Sequence, residues 1–201
     1  METDIYTTRP ELAKGLRLAY SAEKAAAFAY IWHAGSLYCK DAKEAIRQIE
    51  QDEWGHRNNV LEIMNQYAIP VSVWYEFKYH VIGKLIGASC YLIGRFMPYF
   101  FAGKLESGNV CEYFIMMRHF NELGIHEHDE MLYEMGLKEK EHEVYFQGMI
   151  NGATWLPFFE RVFNWGAGTS LNDVALEDPL PVEAAGNYCA NYKKKEGDDE
   201  N

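Results

Sequence analysis

The chain has 201 residues, 48% of them hydrophobic and 15% aromatic, which is enough apolar material for one domain with a short appendage. Its formal net charge of −11 argues against a nucleic-acid partner, because binding a phosphate backbone requires a basic face. The four cysteines are scattered and form no Cys-x-x-Cys pair, so they predict neither a zinc site nor a disulfide framework. An acidic start with no apolar stretch after it is unlike a signal peptide, and we therefore expect a cytoplasmic protein.

Hydrophobic residues recur at helical spacing along most of the chain, and no segment alternates with a period of two for long. The predicted fold class is therefore all-α. The first helix begins near Thr8, with Pro10 in its first turn, and ends near Tyr38. The second begins at Asp41 with a capping-box-like sequence and cannot continue past Pro70.

The segment 81–103 is apolar apart from Lys84 and Arg95, and its longest uncharged run is too short to span a bilayer. One interpretation is an amphipathic helix that lies in a membrane interface or lines a channel for a hydrophobic substrate. The other is a crossover that packs on a helical bundle or buries a homodimer interface. The sequence leaves both open, and attachment to the inner face of a membrane is expected only under the first.

Two more long helices are predicted in the second half of the chain, one over 105–123 and one that opens at His126. A short aromatic helix follows over 155–165. From 166 to 201 the composition changes to Gly, Asn, Asp, Pro and Lys, which predicts an extended or disordered acidic tail. The helical domain would then cover 8–165.

Two Glu-x-x-His pairs lie inside the predicted second and fourth long helices, Glu53 with His56 and Glu139 with His142. Residues three positions apart share a helix face, so each pair directs one carboxylate and one imidazole the same way. A single pair is a weak signal, because so short a motif also arises by chance.

Glu23 in the first predicted helix and Glu112 in the third add a carboxylate to each pair. In an antiparallel hairpin, each of them lies near the level of its Glu-x-x-His partner, because both are about equally far from the intervening turn. Glu23 also falls on the apolar face of its helix, where a carboxylate without a cation is costly. Six such ligands on four helices form a di-iron or di-manganese carboxylate site. Each glutamate taken alone is more simply a solvated helix charge.

The ligand pattern resembles that of the ferritin-like superfamily, and within it the chain is most similar to the demethoxyubiquinone hydroxylase family. The similarity covers residues 12–165 and includes Ser21-Ala22-Glu23, Asp52-Glu53-x-x-His56, the apolar insertion between helices two and three, Val110-Cys111-Glu112 and Glu139-x-x-His142. It implies a ferritin-like four-helix bundle with an apolar crossover between helices two and three and a short C-terminal helix.

The same resemblance implies two iron ions, with manganese as the alternative metal, that activate O2 to hydroxylate a membrane-borne quinone precursor. Glu53 and Glu139 would bridge the two metals, and each metal would be completed by terminal ligands from the set Glu23, His56, Glu112 and His142. The resemblance also implies contact with the membrane surface through 81–103. No catalytic residue is predicted beyond the metal ligands.

We therefore expect a di-iron monooxygenase that acts on a hydrophobic small molecule with O2 and an external reductant. A rubrerythrin- or ferroxidase-like oxidase or peroxidase is the main alternative, although the sequence has no four-cysteine rubredoxin module. A scaffold protein without metal is the third, and it would leave six inward Glu and His side chains in a core with no cation.

Overall fold

The computed structural model describes residues 5–166 and 169–189, and the regular elements in these ranges are all helices. The prediction of an all-α protein is confirmed for this part of the chain. The chain divides into two compact units, one up to Pro98 and one from Tyr99 onward.

The first unit is built on two long helices, α2 and α3, that are joined by three residues and pack along each other as an antiparallel hairpin. Pro10 occupies the first turn of α2, as predicted, and Arg9 is the N-cap residue of this helix. The helices of this unit are α1 Ile5–Thr8, α2 Pro10–Ser36, α3 Lys40–Gln66 and α4 Val73–Ser89.

Helix α4 covers only the first part of the apolar segment 81–103, which then turns and enters the next helix at Phe96. One face of α4 packs closely on α2, because a Cβ atom at Gly83 would lie 2.6 Å from the Ala25 carbonyl oxygen. The opposite face exposes large apolar side chains, among them Val73, Trp74, Phe77 and Leu85. Among the described residues, no helix has both the length and the hydropathy to cross a bilayer.

The second unit has two long helices, α5 and α6, whose contact is made by aromatic side chains. Phe114 of α5 stacks on Tyr133 of α6 at 5.9 Å and also packs against Gly136, where a larger residue would collide with its ring. Helix α5 begins at Phe96 rather than near Leu105, where the sequence predicted the third long helix. The helices here are α5 Phe96–Asn121, α6 Asp129–Ile150, α7 Leu156–Phe163 and α8 Val182–Tyr188.

The C-terminal segment corrects two predictions made from the sequence. Residues 169–189 differ from the extended or disordered tail predicted for 166–201, because Asn172 is buried and residues 182–188 form α8, which packs against α6. Cys189, directly after α8, forms a disulfide with Cys111 of α5, although the spacing of the cysteines predicted no disulfide. Residues 167–168 and 190–201 of the predicted tail lie outside the described residues.

Candidate metal centre

Glu23, Glu53 and His56 come together in the first unit. Glu23 lies on α2, and the other two lie on the buried stripe of α3, which also carries Ile49 and Val60 at helical spacing. Each of the three is at most 5% exposed. Each offers a ligand atom, and these atoms lie within 4.8 Å of one another. We call these three residues the first triad.

Beside this triad, Glu76 and the side chains that donate hydrogen bonds to it connect the helices of the first unit, and we call this cluster the clamp. Glu76 of α4 accepts hydrogen bonds from Ser21 and Lys24, which flank Glu23, and from both Nη atoms of Arg57, at 2.9–3.0 Å. Partial burial on its own would raise the pKa of Glu76, but the hydrogen bonds from Arg57, Lys24 and Ser21 outweigh it and lower this pKa to about 2. The clamp therefore joins α2, α3 and α4 while the Glu76 carboxylate stays ionised.

Glu106, Glu139 and His142 form the corresponding group in the second unit, and we call them the second triad. Glu106 lies on α5, the other two lie on α6, and all three are at most 3% exposed. Their ligand atoms also lie within 4.8 Å of one another. Within the pair on α6, the Nδ1 atom of His142 is 3.8 Å from a carboxylate oxygen of Glu139.

Glu112, which the sequence predicted as the ligand on this helix, belongs to neither triad. It is half-buried, because it lies beside the inner stripe of α5 and not on it. That stripe runs through Glu106, Tyr113 and Phe120 in steps of seven, all of them buried. The seven-residue repeat is the signal that points to Glu106 in place of Glu112.

Other histidines take no part in either triad. His33 of α2 is buried, and burial lowers its pKa to about 4, so its imidazole is neutral at physiological pH. His119 and His126 are likewise members of neither triad.

The donor atoms of both triads fit a divalent metal ion. Two buried carboxylates a few ångströms apart repel strongly in a medium of low dielectric, and a cation between them reverses that interaction. Carboxylate oxygens with one imidazole nitrogen form a donor set that accepts Fe(II), Mn(II) or Zn(II). The buried Glu and His groups of each unit could therefore hold metal ions, and the donor set leaves the identity of the metal open.

Comparisons of the chain with protein-family models, with curated proteins and with solved structures found no match. The similarity to the demethoxyubiquinone hydroxylase family consequently stays a prediction from the sequence motifs. The residues of the two triads are what supports a metal centre in this chain.

Proposed function

We propose that the protein is an O2-activating di-iron oxidoreductase that hydroxylates a hydrophobic, quinone-like small molecule. The observation that supports this proposal is the repeated donor set, one glutamate on one helix and Glu-x-x-His on the next, buried in each unit. We further propose that the fold is a ferritin-like four-helix bundle and that the two triads are halves of one di-metal centre.

The glutamates allow one dinuclear centre to form. Each triad supplies three protein side chains, which are enough to hold one metal ion with water in the remaining positions. A carboxylate has two oxygen atoms and can bind two metals at once. Glu53 and Glu139, the acidic members of the two Glu-x-x-His pairs, would serve as the bridges.

The proposed reaction determines what else the protein needs. When bound, two iron ions would supply the redox chemistry that O2 activation requires. Hydroxylation consumes one O2, two electrons and two protons and yields the hydroxylated product and water, so an external reductant is necessary. The exposed apolar face of α4, with Trp74 and Phe77, would meet the hydrophobic substrate or the membrane surface that carries it.

The first test is the metal content of protein reconstituted anaerobically with Fe(II), compared with that of the Glu139→Ala variant. We expect two iron ions per wild-type chain and a loss of at least one in the variant, because a buried bridging carboxylate is removed. The reconstituted protein should then consume O2 in the presence of a reductant and convert a demethoxyquinone analogue.

The outcomes separate the candidate functions. Rapid turnover of peroxide or Fe(II) with no organic product would replace the proposal with an oxidase or peroxidase of the rubrerythrin or ferroxidase kind. Absence of stoichiometric metal from the wild-type protein would refute the metal centre and favour a helical scaffold.

A further inference from the structure

A short segment of the second unit, residues 169–174, crosses α5 and α6 beside the second triad, and we call it the strap. The strap is bonded to α5 at Ser107, whose hydroxyl oxygen accepts a hydrogen bond from the Leu171 backbone nitrogen at 2.8 Å. The Ser170 hydroxyl lies 3.0 Å from the same Ser107 oxygen. The side-chain amide of Asn172 donates to the Ser107 carbonyl oxygen at 2.9 Å.

The strap is bonded to α6 at Glu143, a fully buried carboxylate. Ser170 donates a hydrogen bond to Glu143 at 2.5 Å, and the Asn172 amide donates to it at 3.3 Å. Because Asn172 bonds Ser107 and Glu143 at once, it links α5 directly to α6. Other donors to the same carboxylate come from α6 and from the residues after α7, namely Lys140, Gln147 and Trp165, at 2.9–3.0 Å.

Each residue of α5 and α6 that the strap binds comes immediately after a candidate metal ligand in the sequence. Ser107 follows Glu106, and Glu143 follows His142. Lys140, which bonds both Glu143 and the strap residue Ser170, follows Glu139. We propose that Asn172 is a positioning residue, which fixes the separation of α5 and α6 at the level of the second triad. This inference rests on the proposed metal centre.

The hydrogen bonds between the strap and the two helices support a positioning role over simple coverage of α5 and α6. An apolar segment could cover α5 and α6 equally well, and burying a carboxylate with a lysine and an amide gains little stability over apolar packing. Hydrogen bonds differ from apolar contacts because they restrict both distance and angle. Metal ligands need that restriction, since their geometry must be held to within about 0.5 Å.

The test is Asn172→Leu, which keeps approximately the same side-chain volume without adding charge and removes the bonds to Ser107 and Glu143. Co(II) alone is the probe, and its visible absorption reports both affinity and ligand geometry. We expect one class of Co(II) site in the variant to bind about 10- to 100-fold more weakly, which is the usual effect of losing a group that orients a ligand. We also expect its absorption spectrum to change.

Tyr188→Phe is the matched control. It removes the hydrogen bond from the Asp173 backbone nitrogen to the Tyr188 hydroxyl, 2.9 Å long, which holds the same segment but touches neither α5 nor α6. This variant should keep the wild-type Co(II) affinity and spectrum. If Asn172→Leu does not fold, as judged by circular dichroism, Asn172→Ala removes the same bonds without placing a larger apolar side chain beside Glu143 and should produce the same loss.

The results distinguish this inference from the proposed function. Wild-type Co(II) binding and spectrum in a folded Asn172→Leu or Asn172→Ala variant would overturn the positioning role and leave the metal centre intact. An equal loss in Tyr188→Phe would also overturn it, because the effect would then be a general loosening of the segment. Failure of the wild-type protein to bind Co(II) would overturn both proposals.

Discussion

At the scale of single residues, the Glu76 carboxylate has the clearest electrostatic consequence in the first unit. Its pKa is about 2 in the folded chain, against an ordinary value of 4.5, because three donors hold its charged form. A group whose pKa is lowered by folding stabilises the native state fully above its unfolded pKa. That contribution is lost as the pH falls through the folded pKa.

We therefore expect the free energy of unfolding to fall as the pH is lowered from about 4.5 to about 2, in part through Glu76. Glu76→Gln should be less stable than the wild type at neutral pH and should depend less on pH within this window. Chemical unfolding at a series of pH values measures both effects. An unchanged pH profile in the variant would show that the clamp does not carry this stability.

The titration of His33 changes the stability in a higher pH range, which serves as an internal control for the effect of Glu76. Burial lowers its pKa from 6.5 to about 4, so the unfolded chain takes up this proton first, and the resulting loss of stability runs from about pH 6.5 down to about 4. Glu76→Gln should leave this higher window as it is in the wild type.

At the scale of elements, α5 determines which glutamate can reach the second triad. Its buried stripe carries Glu106, Tyr113 and Phe120, while Glu112 points partly to solvent. A helix rotates by about 100° per residue, so Glu112 cannot share the orientation of Tyr113. The choice between the two glutamates thus depends on the register of the whole helix.

Glu106→Gln and Glu112→Gln form a matched pair on this helix, since each replaces a carboxylate with an amide of the same shape. We expect Glu106→Gln to lose one metal ion per chain or to bind it at least about 10-fold more weakly, because an amide is a poorer ligand than a carboxylate. Glu112→Gln should retain wild-type metal content. Elemental analysis after gel filtration measures the metal content of both variants. Loss of metal in Glu112→Gln but not in Glu106→Gln would support Glu112, the ligand predicted from the sequence.

At the scale of the whole chain, the sequence is most informative about features that depend on residues close together along the chain. The three-residue link between α2 and α3 allows the level of Glu23 to be counted against that of Glu53, and the structure brings these two glutamates and His56 together. The same count places Glu112 beside Glu139, but the carboxylate that joins Glu139 and His142 in the structure is that of Glu106. A count of levels does not determine which face of α5 is buried.

The C-terminal segment could not be predicted for a different reason. The bonds of Asn172 to Ser107 and Glu143 join residues that are far apart in the sequence. The composition of the C-terminal segment is that of a loop. The pairing of Cys111 with Cys189 spans 78 positions and has no local signature. Long-range contacts of this kind depend on the packed fold and leave no periodic pattern in the chain.

The disulfide yields a prediction about stability. A cross-link that closes a loop of 78 residues stabilises the native state by about 4 kcal/mol, chiefly by restricting the unfolded chain. Cys189→Ser should lose stability of that order in equilibrium denaturation, and reduction of the wild type should do the same. Cys39→Ser, which changes an exposed free cysteine, is the control and should have no such effect. Equal stability of the two variants would contradict the role of the disulfide.

The same disulfide has a consequence for the integrity of the molecule. Helices α6, α7 and α8 lie inside the covalent ring that it closes, and so does the exposed linker between α5 and α6. A protease that cuts this linker produces two fragments, one with Cys111 and one with Cys189, that remain a single covalent species. The chain can therefore be nicked between the two helices of its second triad without either helix diffusing away.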